Sequence, residues 1–223
     1  MNPVLLLHGA LGAKEQLLPL QHLLEKAGRV VYTMNFSGHG GEPFAEAFGI
    51  ETFASDVHRF MEIQKITKAT IFGYSMGGYV ALWLALHHPE QVDRIVTLGT
   101  KFDWSPESAA REIKKMNPEK ILEKVPAFAR ILEHRHAPNH WQELMAKTAA
   151  MMERLGDRPL LIPDNLKQIA HRVDVLLGDA DDMADQAYSK QVAHWLRNGR
   201  FTWLPQTPHP IEKIDMNSLV TFL

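Results

Sequence analysis

One short stretch limits what this chain can fold into more than any other: Gly73-Tyr74-Ser75-Met76-Gly77-Gly78, set between Lys68-Ala69-Thr70-Ile71-Phe72 and Tyr79-Val80-Ala81-Leu82-Trp83-Leu84-Ala85-Leu86. The segment before it has the length and the β-branched and aromatic residues of a buried strand. The segment after it is a helix apolar on nearly all faces, ended by His87-His88-Pro89. A strand that turns this sharply into a helix forces the middle residue into a strained backbone conformation and lifts its side chain clear of the sheet. Glycines two before and two after remove the side chains that would clash. The pattern makes Ser75 a candidate nucleophile, and its plain alternative is that Ser75 caps the helix while the glycines make the turn.

A serine nucleophile needs a general base, usually histidine, and the base needs a carboxylate to fix its tautomer. On a strand-turn-helix scaffold of this kind the chain order is nucleophile, acid, histidine. That order sieves the twelve histidines. In the last third, Arg172-Val173-Asp174-Val175-Leu176-Leu177 reads as a strand running into an acidic loop, Gly178-Asp179-Ala180-Asp181-Asp182. Only His194 and His209 lie beyond it. His194 falls inside a helical stretch, whereas His209 occupies the loop Gln206-Thr207-Pro208-His209-Pro210 directly after the strand Phe201-Thr202-Trp203-Leu204. His209 is therefore the candidate base, against the alternative of a surface loop histidine.

At the amino end Val4-Leu5-Leu6-Leu7 is an apolar run of strand length that breaks into His8-Gly9-Ala10-Leu11-Gly12. Acyl transfer through a tetrahedral intermediate needs two backbone donors for the oxyanion, one after the nucleophile and one from a loop following an earlier strand. Met76 and Ala10 are the candidates.

Together these residues resemble the α/β-hydrolase family. The likeness runs from the first strand and His8-Gly9, through Gly38-His39-Gly40, the elbow at Ser75, the turn Gly178-x-x-Asp181 and His209, to the last helix. The resemblance implies that Asp181, rather than Asp179 or Asp182, is the acid, because the family places it three residues after the glycine that ends the strand. Two departures stand out. The second loop reads Asn35-Phe36-Ser37-Gly38-His39-Gly40-Gly41-Glu42 where the family often has Asp-x-x-Gly-x-Gly-x-Ser, which bears on local bonding. The chain also begins almost on the first core strand, as a trimmed member would.

Strands are expected near 4–8, 30–34, 69–73, 94–98, 172–177 and 200–204, and helices near 14–27, 50–65, 76–87, 185–197 and 210–222. This alternation predicts an α/β fold, a mostly parallel sheet with helices on both faces. From 103 to 165 no strand is evident, only short helical pieces punctuated by prolines, with Ser105-Pro106 and Asn117-Pro118 as helix starts. The domain reading is a core of 1–102 and 166–223 with a helical insertion at 103–165, which by the resemblance caps the active site.

Lys and Arg number 24 against 26 Asp and Glu, so no global field recruits nucleic acid or an anionic membrane. Apolar residues make up 45% of the chain without any run near the ~18 needed for a span, and the start lacks the features of a signal peptide. There is no cysteine, which excludes disulfides and thiolate chemistry and fits the cytoplasm. Histidines at 134, 136 and 140 have chelating spacing, but an arginine lies between them and no cysteine or carboxylate cluster accompanies them, so no metal site is expected.

The expected activity is cofactor-free serine hydrolysis of an ester or related acyl bond in a small molecule, through an acyl-enzyme. The alternatives are a triad-dependent lyase or carbon–carbon bond hydrolase and, more distantly, a non-catalytic binding protein of the same fold. Leu11, Tyr74, Lys101 and Trp104 are expected at the substrate, with Lys101 either holding a substrate carboxylate or solvated. Met116, Met145, Met151, Met152, Phe128 and Trp141 have the chemistry of an adaptable apolar pocket, although the simpler reading of each is packing between cap helices.

Overall fold

A computed structural model describes residues 2–223. Six strands form one sheet: β1 (Val4–Leu7), β2 (Val31–Thr33), β3 (Ala69–Tyr74), β4 (Val92–Leu98), β5 (Arg172–Ala180) and β6 (Asn198–Pro208). Every neighbouring pair is parallel, in the order β2-β1-β3-β4-β5-β6. A parallel sheet needs crossovers, and these are helical: α1 (Leu18–Lys26), α2 (Ile50–Ile63), α3 (Met76–His87) and α9 (Gln186–Trp195). Between β4 and β5 come five helices and no strand: α4 (Pro106–Ile113), α5 (Pro118–Lys124), α6 (Pro126–His136), α7 (Trp141–Asp157) and α8 (Pro163–Leu166). The chain ends on α10 (Met216–Val220).

The sheet is covered on both faces, which explains why its strands read as unbroken apolar runs. Alternate residues of β1 feed opposite cores: Leu5 and Leu7 pack with Ile71, Phe53 and Val80 on one side, while Val4 and Leu6 pack with Phe72, Leu20 and Leu219 on the other. The apolar helix α3 lies wholly within the first of these cores.

Two expected helices are broken. The segment near 14–27 begins as a 3₁₀ turn, Lys14–Leu17, before α1, with Pro19 in its opening turn. The segment near 210–222 splits into a 3₁₀ turn, Ile211–Lys213, and α10, because Ile214 is extended and the Asp215 carboxylate restarts the helix by accepting from Asn217 N–H at 3.0 Å. In the cap, the Ser105 and Asn117 side chains accept from Ser108 N–H at 3.2 Å and Lys120 N–H at 2.8 Å. The unusual second loop is tied by Asn35, which accepts from Lys14 N–H at 2.8 Å and donates to Gly40 O at 3.2 Å. Among the described residues no helix is long and apolar enough to cross a membrane.

Because all strands run one way, the segments after β1, β3, β4, β5 and β6 emerge at one edge of the sheet. The chemistry gathers there.

Candidate active site

Ser75 sits between β3 and α3 with φ 51° and ψ −117°, a left-handed backbone that a non-glycine residue holds only when its surroundings enforce it. They do so here. Ser75 N–H donates to Leu98 O at 2.8 Å, and Thr100 Oγ1 donates to Ser75 O at 2.9 Å. A Cβ on Gly73 would lie 2.3 Å from Gly78 N, and one on Gly77 would lie 2.5 Å from Leu7 O. The elbow therefore requires glycine at both places.

β5 and β6 bring a carboxylate and an imidazole together. His209 Nδ1 donates to Asp181 Oδ2 at 2.8 Å, and Asp181 Oδ1 accepts from the backbone N–H groups of Met183 at 2.9 Å and Ala184 at 3.1 Å. The Asp181 side chain is only 2% exposed. Asp179, by contrast, is exposed and accepts from Thr207 N–H at 3.3 Å. With Nδ1 committed to the carboxylate, the Nε2 of a neutral His209 carries the free lone pair. Ser75 and His209 both line one cavity of about 380 Å³. No hydrogen bond joins Ser75 Oγ to the ring among the described residues, and bonds of this kind commonly tighten only on substrate binding.

The loop after β1 presents a backbone donor by holding its carbonyls elsewhere. His8 is fully buried; its Nδ1–H donates to Gly9 O at 2.8 Å, and Gly12 N–H reaches the same oxygen at 3.1 Å. In a trans peptide the N–H points opposite to the C=O, so the Ala10 N–H is turned away from these partners. The other His8 nitrogen, Nε2, accepts from Phe36 N–H at 3.3 Å. Burial lowers the His8 pKa to about 3, which keeps this neutral tautomer in place. The Met76 N–H opens α3 and so has no intrahelical acceptor. Ala10 and Met76 both line the cavity with Ser75.

The cap reaches into this loop. Leu11, at φ 54°, offers its carbonyl to His136 Nε2–H and Arg135 Nη1–H, each at 3.0 Å, and His136 Nδ1 accepts from Gly40 N–H at 3.1 Å. Burial lowers the His136 pKa to about 4 and that of His39, whose ring lies 5.9 Å from it, well below the usual value. The histidines with chelating spacing are thus engaged separately: His136 ties cap to core, whereas His134 and His140 are exposed. No group of three or more His, Asp or Glu among the described residues is arranged to hold a metal ion.

Leu11, Tyr74, Lys101 and Trp104 line the cavity, but two of them are committed elsewhere as well. The Tyr74 hydroxyl donates to His209 O at 3.0 Å, so it positions the histidine loop. Lys101 is neither solvated nor free to clamp an anion, because its Nζ pairs with Asp103 at 2.9 and 3.0 Å while lying 5.5 Å over the Trp104 ring. Met116, Met145, Met151, Met152 and Phe128 all line the cavity, and Met145 and Met151 also pack in the apolar cores around it, so lining and packing are combined in the same side chains. Trp141 instead packs in the cap's own core with Leu132 and Leu144. Sequence reasoning missed Glu112 and Met183 in the lining and the bracing roles of His8 and His136. A buried histidine beside a glycine turn was the one available signal.

A family profile described as alpha/beta hydrolase fold matches residues 2–193. An sn-1-specific diacylglycerol lipase of Xenopus laevis, ABHD11, is 33% identical over 97 residues, covering 43% of this chain and 31% of that protein. Ethanol acetyltransferase 1 of Cyberlindnera jadinii is 31% identical over 98 residues, covering 44% and 29%. The matched region thus spans about a third of these relatives' length. The enol-lactonase of Burkholderia xenovorans LB400 superposes with a TM-score of 0.78 at 20% identity, over all of this chain and 91% of the other, a likeness of fold. With its parallel sheet, its serine elbow and a profile match over most of its length, the chain belongs to the α/β-hydrolase fold family.

Proposed function

We propose that the protein is a serine hydrolase that cleaves an ester or related acyl bond of a small molecule, with Ser75, Asp181 and His209 as its triad. The observation that carries the reading is the 2.8 Å bond from His209 to a buried Asp181 in the wall of the cavity that Ser75 also lines. Ser75 Oγ attacks the carbonyl as His209 Nε2 takes its proton. The ring, now doubly protonated, is stabilised by Asp181. Negative charge forming on the carbonyl oxygen is met by the Ala10 and Met76 N–H groups, and the same proton is then delivered to the leaving alkoxide. Water repeats the sequence on the acyl-enzyme and restores Ser75. Every step is a proton or acyl transfer that these side chains and backbone groups supply, so the scheme uses no cofactor. The cysteine-free chain supports a cytoplasmic setting.

A second reading, acyl transfer to an alcohol in place of water, uses the same machinery. It is supported by the methionine-rich lining, which favours an apolar acceptor over water. A fluorophosphonate probe and a series of short and medium p-nitrophenyl esters test the proposal. Wild type should label and turn over, and Ser75→Ala should do neither. Unlabelled wild type would sink it, and partition of the acyl group into added ethanol separates transfer from hydrolysis.

A further inference from the structure

Glu112 is a buried carboxylate for which the proposed reaction has no use. It lies on the inner face of α4, is 5% exposed, and contributes to the cavity wall together with Met116, Met152, Leu155 and Phe128. Its Oε2 pairs with Lys115 Nζ at 2.9 Å. Its Oε1 has no hydrogen-bond partner among the described residues. Nor is that atom sealed in protein, since the fully occluded unpartnered atoms belong to Arg29, His39, Thr97, Trp104 and His171. Solvent can reach that oxygen in the free protein, and an apolar substrate that displaces the water leaves it costly unless the substrate itself donates to it.

The charges around it define the donor. Each cation in the lining already has a partner: Lys101 with Asp103 at 2.9 Å, Lys115 with Glu112 at 2.9 Å, and Arg135 with Glu212 at 3.6 Å. A substrate carboxylate would find no free positive charge. A substrate ammonium would add a net charge beside a pair that is already neutral. A hydroxyl satisfies Oε1 without either cost.

We infer that Glu112 is a specificity-determining residue, its free oxygen accepting a hydrogen bond from a hydroxyl carried on the apolar body of the ester, remote from the scissile bond. This rests on the ester-hydrolase reading. A cavity of about 380 Å³ falls at the small end of the ~300–1,000 Å³ range of small-molecule sites, which suits a medium-length chain with one polar end.

The test uses matched p-nitrophenyl esters of six to ten carbons ending in methyl, hydroxyl or carboxylate, and matched acetates of octanol and 1,8-octanediol, since either side of the ester can enter the cavity. In one of the two series the hydroxyl compound should exceed its methyl counterpart in kcat/KM by about 10- to 100-fold, the range for a hydrogen bond to a charged acceptor, and the carboxylate compound should be the poorest of its set. In Glu112→Met the hydroxyl preference should vanish, with thermal unfolding and fluorophosphonate labelling of Ser75 showing that the variant is folded and competent. Equal kcat/KM for hydroxyl and methyl esters in both series would overturn the inference and leave the hydrolase reading standing. So would a Glu112→Met variant that keeps the preference. A wild-type protein inert to every ester and to the probe would instead overturn the hydrolase reading, and this inference with it.

Discussion

Acid should unlock this protein through its buried histidines before it reaches the carboxylates. His8 and His136 are fully buried and neutral, with pKa values lowered by burial to about 3 and about 4 from an ordinary 6.5, and His39 is lowered as well. The unfolded chain therefore binds protons that the folded chain refuses. Their contribution to stability is complete above pH 6.5 and is lost progressively as pH falls toward the folded values. Between pH 7.5 and 5 each of His8 and His136 forfeits nearly 1.5 pH units of differential protonation, or about 2 kcal/mol at ~1.36 kcal/mol per unit. The pair costs about 4 kcal/mol, a large share of the ~5–15 kcal/mol that holds an ordinary domain together. Urea titrations followed by circular dichroism at pH 7.5, 6.5, 5.5 and 5 read this directly. His136→Gln keeps an uncharged donor and acceptor for Leu11 O and Gly40 N–H but removes one titration, so its loss over the same range should be smaller by about 2 kcal/mol. An unfolding midpoint that stays flat to pH 5, or a variant with the wild-type pH slope, would refute the reasoning.

Ser75→Ala and His209→Ala should each lower kcat by about 10³-fold or more, and the double variant should be scarcely worse than either, because both serve one proton transfer; losses that multiply would refute the triad. Asp181→Asn should cost about 10²- to 10⁴-fold in kcat with the fold intact, whereas Asp179→Asn, whose carboxylate holds only Thr207 N–H, should stay within roughly tenfold when assayed on the same ester. Gly77→Ala would set a methyl 2.5 Å from Leu7 O and should destabilise the protein by about 1–3 kcal/mol in urea unfolding, with loss of turnover as the elbow shifts.

What the sequence makes legible follows from the range over which each feature is decided. β1 and β3 are buried on both faces, so Val4–Leu7 and Ala69–Tyr74 announce themselves as apolar runs, and the turn at Ser75 is written by glycines within three residues of it. Choosing His209 needed only chain order. Singling out Asp181 among three nearby acids did not follow from the residues alone and came from the family likeness; which carboxylate meets His209 depends on the register shift between Gly178 and Ala180 where β5 pairs with β6. The breaks at Lys14–Leu17 and after Lys213 escaped because Leu17 and Ile214 look no different from helix residues until their neighbours are in place. The stretch between β4 and β5 was legible as strandless and proline-punctuated, but nothing in the sequence pattern says that Lys101 will meet Asp103 or that Glu112 will turn inward.

The same distinction of range bears on how the cap acts. Ala10 lies between two carbonyls pinned from opposite sides. Gly9 O is held by His8 from the core, and Leu11 O is held by His136 and Arg135 across 124 to 125 residues of chain. A peptide flanked by two fixed carbonyls has little freedom to rotate, so under the proposed mechanism the Ala10 N–H is aimed before any substrate arrives, which is the condition under which a backbone donor stabilises developing charge most effectively. One of the two pins belongs to the element that also supplies Phe128 to the cavity wall. A cap displaced far enough to admit a bulky ester would release Leu11, whose left-handed backbone depends on such restraint, and with it the aim of the oxyanion donor. Under the proposed mechanism, selection against large substrates would then be expressed in kcat and not in KM alone, because the contacts that close the cavity are also contacts that hold the loop of the proposed oxyanion donor.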